Sequence, residues 1–199
     1  MAKKALKIVL ILLGVIALAA AALVLWLSLT EYKPEDVTVV KVAESSDLES
    51  KQPAVGDEIS VVSWNIGYAG LGKGSDFFMD GGTNVSSADK DTVSSYLDGI
   101  YNTLYSGEDS ASIFMLQEVD KNSKRTYGTD ETARLGIYNS TYALNYSCNF
   151  VPFPLPPIGR VNSGLLTTTV FDIDSAERLS LPCPFDWPVS TANLKRCLL

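Results

Sequence analysis

Residues 60–70 read "SVVSWNIGYAG". The Val/Ile content of residues 59–64 reads as a strand. It runs into Trp64, then Asn65, then a glycine-rich exit. An asparagine closing a buried strand is either a turn former or a polar group placed for a purpose. The chain has no histidine among its 199 residues, so the commonest proton-transfer group is missing. Residues 67–87 are rich in Gly, Ser, Asp and Asn and read as a long loop of the kind that often carries function. A helix is expected next. Ser86 or Ser87 would cap it, and Asp89 and Asp91 would lie in its first turn. Val93, Tyr96, Leu97, Ile100, Tyr101 and Leu104 fall on one helical face, and Gly107 would end it. Then "SIFMLQEVD", 112–120, is a short apolar run that turns abruptly polar, as suits a strand buried on both faces. Strand, loop, helix, strand is a layered α/β (α+β) arrangement. Asn65 and Glu118 would sit just beyond the C-terminal ends of neighbouring strands, which would bring them together.

Further along, 131–138 reads as a short helix and 141–151 as a strand. "PFPLPPIGR", 152–160, reads as a rigid proline-rich loop. Residues 164–171 and 176–181 read as strands, 182–188 as a loop, and 192–199 as the start of another strand.

Residues 8–29, "IVLILLGVIALAAAALVLWLSL", form an unbroken apolar run. At helical rise it extends roughly 33 Å, enough to cross a hydrocarbon core of about 30 Å. Lys3, Lys4 and Lys7 precede it and Glu31, Glu35 and Asp36 follow, which places the N-terminus in the cytoplasm and the remainder outside. The run is longer than the core of a cleavable signal peptide, and Trp26 suits a membrane interface. The expectation is an uncleaved single-pass anchor in the cell membrane over 1–30; a signal peptide would export the same domain. Residues 31–58 are polar and aperiodic and read as a linker. The domain proper would then be 59–199.

Three of the 16 basic residues and none of the 23 acids lie in the first 30 positions. The rest therefore holds 13 bases against 23 acids, a net charge of −10, and shows no electrostatic grip on polyanions. Cys148, Cys183 and Cys197 lack CxxC spacing, so zinc is not indicated. One disulfide with one free thiol and three small buried hydrophobes are both open.

Glu118 with Asn65 suits a hard divalent cation, Mg²⁺ or else Mn²⁺ or Ca²⁺, because such ions take oxygen ligands with water and phosphate completing the shell. Strand alternation would put Asp120 on the face of Glu118 and Gln117 on the other.

These residues carry a resemblance. "VVSWNIGYAG" followed about 50 residues later by "IFMLQEVD" resembles the endonuclease/exonuclease/phosphatase superfamily, relatives of DNase I, exonuclease III and bacterial sphingomyelinase. "GRVNSGLLTTT", 159–169, and "NLKRCLL", 193–199, look like its following segments. "FFMDGG", 77–82, and the proline-rich loop look like a membrane-anchored branch from Gram-positive bacteria. The resemblance implies a four-layer αββα sandwich, here its N-terminal portion after one transmembrane helix. It implies divalent-metal-dependent hydrolysis of a phosphoester, in nucleic acid or a phospholipid headgroup. Glu118 would bind the metal, Asn65 would lie beside metal and phosphate, and Asn162 and Arg196 would lie near the rim. No protein partner is implied.

The family's later motifs, Asn-x-His, Gly-Asp-x-Asn and Ser-Asp-His, do not occur, and "GDEI" at 56–59 precedes the first strand. A chain that stops short of them is expected to be at best weakly active, since metal needs an oriented nucleophile. The alternative is a non-catalytic, membrane-anchored surface binding module on the same fold.

Overall fold

A helix of 28 residues, α1 (Ala2–Leu29), opens the chain. It is long and apolar enough to cross a membrane, as an anchor or a signal sequence would. The computed structural model describes residues 2–86, 89–106 and 111–199. After α1 come β1 (Val37–Val39), β2 (Val42–Ala43), β3 (Val61–Asn65), α2 (Lys90–Tyr105) and β4 (Ile113–Asp120). Then follow α3 (Glu131–Leu135), β5 (Asn139–Val151), β6 (Gly159–Thr169), β7 (Glu177–Ser180) and β8 (Cys197–Leu198). The result is a mixed α+β structure with two sheets, ordered β2-β5-β6-β4-β3 and β1-β7-β8.

Among the strands of the described residues, β3 and β4 alone pair in parallel, Val61 against Ile113 through Asn65 against Gln117. A parallel pair needs a crossover, and α2 supplies it. The helix begins at Asp89, whose carboxylate accepts the Thr92 amide, one turn later than Ser86. Ser87 and Gly107 lie outside the described residues. The expected apolar face is observed: Val93, Leu97, Ile100 and Leu104 are buried against Phe114, Leu116, Val119 and Leu166. Tyr96 and Tyr101 pack at its margin.

Three readings need correction. β4 is not buried on both faces. α2 covers the side bearing Phe114 and Leu116, while Met115 and, on β3, Val61 stay exposed on the other. Glu118 lies within β4 rather than beyond it. The stretch 31–58 is not simply a linker either. Its residues 37–39 pair with β7 and its residues 42–43 with β5, so it stitches the two sheets together. These strands are too short for alternation to be read in a polar context.

β5 and β6 form the long central hairpin, and Gly164 of β6 sits tight against β5. A Cβ there would lie 2.3 Å from the Ala143 carbonyl oxygen. The three-stranded sheet closes onto β5 through the buried Arg178, whose guanidinium donates to the carbonyls of Leu144 and Lys195 and to the Ser180 hydroxyl. All three cysteines are free; Cys148 and Cys197 are buried and Cys183 is exposed.

Candidate functional site

The β4–β6 ladder loses register between Leu116 and Val119. Gln117 and Glu118 together stand opposite Leu165, a β-bulge. Glu118 takes a left-handed backbone, φ 55°, which a non-glycine residue adopts at a cost of order 1 kcal/mol. The bulge restores Val119 to the core side beside Leu116. It also presents the Glu118 carboxylate to the neighbouring strand. There Asn65, the last residue of β3, donates from Nδ2 to Glu118 Oε1 at 3.0 Å. Asn65 Oδ1 accepts the Gly67 amide at 3.0 Å, which turns the chain out of the strand.

That exit is strained. Gly67, Tyr68 and Ala69 all have positive φ, and Tyr68 is almost wholly buried. The Arg125 guanidinium lies 3.6 Å from the centre of the Tyr68 ring, a close cation–π contact. Arg125 in turn donates two 2.8 Å hydrogen bonds to Asp120, whose side chain is fully buried. Burial opposes the Arg125 charge, yet the Asp120 carboxylate outweighs it and holds the Arg125 pKa above its ordinary value. Burial, against Arg125 and with the charges of Glu118 and Asp120, pushes the Tyr68 hydroxyl up to about 12. It therefore keeps its proton at neutral pH.

Asp120 is thus a structural anion committed to Arg125, not a second carboxylate for a metal. The clamp Asp120–Arg125–Tyr68 pins the loop after Asn65 to the strand that carries Glu118. Sequence reading named neither Tyr68 nor Arg125 as part of the site. The only signal was their position just after "WN" and "QEVD", and nothing local reveals a cation–π contact across 57 residues.

Glu131 sits behind the clamp, fully buried, with Oε2 accepting the Asp120 amide at 2.7 Å. Its Oε1 has no hydrogen-bond partner among the described residues. Burial, reinforced by the Asp120 charge, raises its pKa well above the ordinary 4.5. A carboxyl of this kind favours the fold fully below its unfolded pKa. The contribution is lost as pH rises from there through the raised native value. Glu131→Gln is therefore expected to flatten the stability profile above about pH 4.5. Unfolding midpoints of both proteins at acid and neutral pH check this; parallel profiles would remove Glu131 as the cause.

A groove of about 550 Å³ borders the pair, lined by Asn65, Glu118, Leu71, Tyr96 and Ile100 among others. Gly72 forms its wall because Tyr96 leaves no room for a side chain there. Neither proposed rim residue lines this groove. Asn162 lies on β6, accepts the Ser147 hydroxyl through Oδ1, and lines a separate cleft with Tyr142 and Arg178. Arg196 precedes β8 and lines a third, with Lys33 and Lys195. Among the described residues, no three His, Cys, Asp or Glu side chains gather as a metal cluster. Comparison with protein-family models, with curated proteins and with solved structures finds no match to this chain.

Proposed function

We propose that Glu118 and Asn65 form the metal end of a phosphoester-hydrolysing site of the endonuclease/exonuclease/phosphatase type, on a domain that α1 holds at the outer face of the cell membrane. One observation carries the reading. The chain keeps a glutamate in left-handed backbone at a bulge, with its carboxylate tied to an asparagine on the adjacent parallel strand. Such strain persists where the surrounding structure enforces it, and it concentrates at functional sites.

The donor set fits a hard divalent ion in a limited way. Among the described residues, Glu118 Oε2 accepts no hydrogen bond, so one carboxylate oxygen is available. Asn65 Oδ1 is committed to Gly67, so Asn65 orients Glu118 rather than ligating. Mg²⁺ commonly takes only one or two carboxylates, with waters and substrate phosphate completing the shell. When bound, such an ion polarises a phosphoryl oxygen and acidifies water. The chain's own contribution is to hold the Glu118 carboxylate through the neutral Asn65 amide, and to fix the loop beyond Asn65 through Arg125.

Retention of α1 is supported by its contacts. Leu27 is buried, and with Leu23 it packs among Cys148, Val151 and Val161 of the domain. The register also bears on the distance from such a site to α1. β4 and β6 are antiparallel, so Glu118 lies towards the end of the sheet where β5 and β6 meet α1. Six residue steps of β6, about 20 Å, run from Leu165, opposite Glu118, to Gly159. That closeness to the anchor favours a substrate presented at the membrane surface, a phospholipid headgroup, over free nucleic acid, as does the net charge of −10.

A second reading is a non-catalytic binding module on the same fold, which would keep Glu118 as a ligand without an oriented nucleophile. The full chain in detergent micelles decides between them, with bis(4-nitrophenyl) phosphate as substrate and Mg²⁺ or Mn²⁺ supplied. The expected result is slow, chelator-sensitive hydrolysis that Glu118→Gln abolishes. Mn²⁺ binding that is lost in Glu118→Gln, without turnover in either protein, selects the binding module. Metal binding indifferent to Glu118→Gln overturns Glu118 as the metal ligand and with it the proposed phosphoesterase site.

A further inference from the structure

Two loops at the α1 end of the domain are apolar, exposed and nearly free of charge. The first joins β5 to β6, where residues 150–159 read "FVPFPLPPIG" without a charged side chain. Phe153 and Leu155 in it are 73% and 82% exposed. The second, residues 181–190, reads "LPCPFDWPVS" with Asp186 as its one charge. Trp187 and Val189 in it are 67% and 54% exposed. Exposed large apolar side chains grouped in this way mark an interaction surface.

Their position relative to α1 identifies the partner. Trp187 Nε1 donates to Ser28 Oγ at 2.9 Å, inside the apolar run of the helix. Phe150 and Ile158, at the base of the first loop, pack in the cluster that contains Leu23 and Leu27. Leu23 lies about 9 Å along the axis from the helix end at Leu29. If α1 spans a bilayer, residues at the level of Leu23 to Ser28 are at the depth of the outer interface and the first acyl carbons. Amphipathic elements bound to membranes sit about 5–10 Å into that boundary. The first loop starts at Val151 and Gly159, a pair already at this level, and its tip residues find no core of their own. Tryptophan beside the helix end, as Trp26 and Trp187 are, suits the interfacial belt. The seating is fixed on the water side by Lys195, whose ammonium lies 2.6 Å from the half-buried Glu31 carboxylate just past the helix end. Burial works against the Glu31 charge, but Lys195 and Lys33 prevail and lower its pKa.

We propose that the loops over 152–158 and 182–189 insert into the outer leaflet beside α1, forming with it one composite membrane-embedded surface that fixes the orientation of the domain on the bilayer. The partner is the lipid itself. This rests on α1 being a retained anchor, and the experiment separates the two.

The full chain carrying Cys183→Ser is reconstituted into phosphatidylcholine–phosphatidylglycerol vesicles. A polarity-sensitive fluorophore is attached at Leu155→Cys, with controls at Ile16→Cys in the helix and Val55→Cys on the exposed surface. The native Cys148 and Cys197 are buried, and burial raises both pKa values, so they compete poorly for the label. Substitution at Leu155 disturbs no packing, given its exposure. The expected result is a blue-shifted label at position 155, quenched by lipids spin-labelled near the headgroup. The label at 16 is quenched by deep spin labels and that at 55 by neither. A label at 155 that behaves like that at 55, with position 16 still quenched, overturns the proposal and leaves the anchor intact. A label at 155 that is blue-shifted but unquenched by lipid places a protein surface, such as a second copy, over the loop and also overturns it. Water exposure at 16 as well defeats the anchor and the proposal together.

Discussion

Arg125→Met is expected to destabilise the domain by about 3–5 kcal/mol, because it strands the Asp120 carboxylate in a fully buried position. Two hydrogen bonds are lost with the charge, and so is the guanidinium against Tyr68. Part of this cost belongs to the orphaned anion rather than to the pair. A well-packed neutral replacement is therefore expected to recover most of it: Asp120→Leu with Arg125→Met should be far more stable than Arg125→Met alone. Thermal melts followed by circular dichroism compare the three proteins. For a chain of this size the single variant should melt roughly ten degrees lower. A loss below about 1 kcal/mol would place the pair among surface ion pairs that contribute little, and the clamp would lose its role.

Substitutions at Glu118 are expected to separate function from stability. Glu118→Gln, Glu118→Ala and Glu118→Gly should each lower metal-dependent turnover by more than the roughly 10–100-fold typical of losing a group that only supports a ligand. Asn65→Ala, which removes such a supporting group, should fall within that range. Stability should follow a different order. At φ 55° a glycine carries no Cβ penalty, so Glu118→Gly is expected to be about 1 kcal/mol more stable than Glu118→Ala. That inverts the usual ranking within a strand. Urea unfolding of the two variants measures it. Equal midpoints, or alanine ahead, would mean that the bulge relaxes on substitution and that Glu118 is not held under strain.

The parts of this molecule that were legible in its sequence are those governed by local periodicity. α1 follows from an unbroken apolar run. The buried face of α2 follows from apolar residues at helical spacing, and β4 from its short Ile–Phe–Met–Leu core. The meeting of Asn65 with Glu118 was also anticipated, because a strand–helix–strand unit brings two C-terminal strand ends side by side. The site's support was not. Alternation along β4 placed Glu118 and Asp120 as equals, yet Asp120 is withdrawn into a pair with Arg125, which lies beyond the strand in a turn over Lys124–Thr126. Asn162 and Arg196 were placed near the rim by resemblance alone, and both line other clefts.

What the sequence determined by itself, then, is the inventory: one membrane-length helix, one amphipathic helix, and two strand ends bearing an amide and a carboxylate. Each depends on neighbours three or four residues away in a helix or two in a strand, which a linear reading can see. The tertiary structure alone decided which carboxylate stays available. It did so through a bulge opposite Leu165, an arginine that prefers Asp120, and a tyrosine brought across from the other strand. It also decided that residues 37–43 bind the two sheets together and that two apolar loops flank α1. These depend on contacts between segments far apart in the chain, and the free energy that settles them comes from burial and charge pairing between surfaces that exist only once the chain has folded.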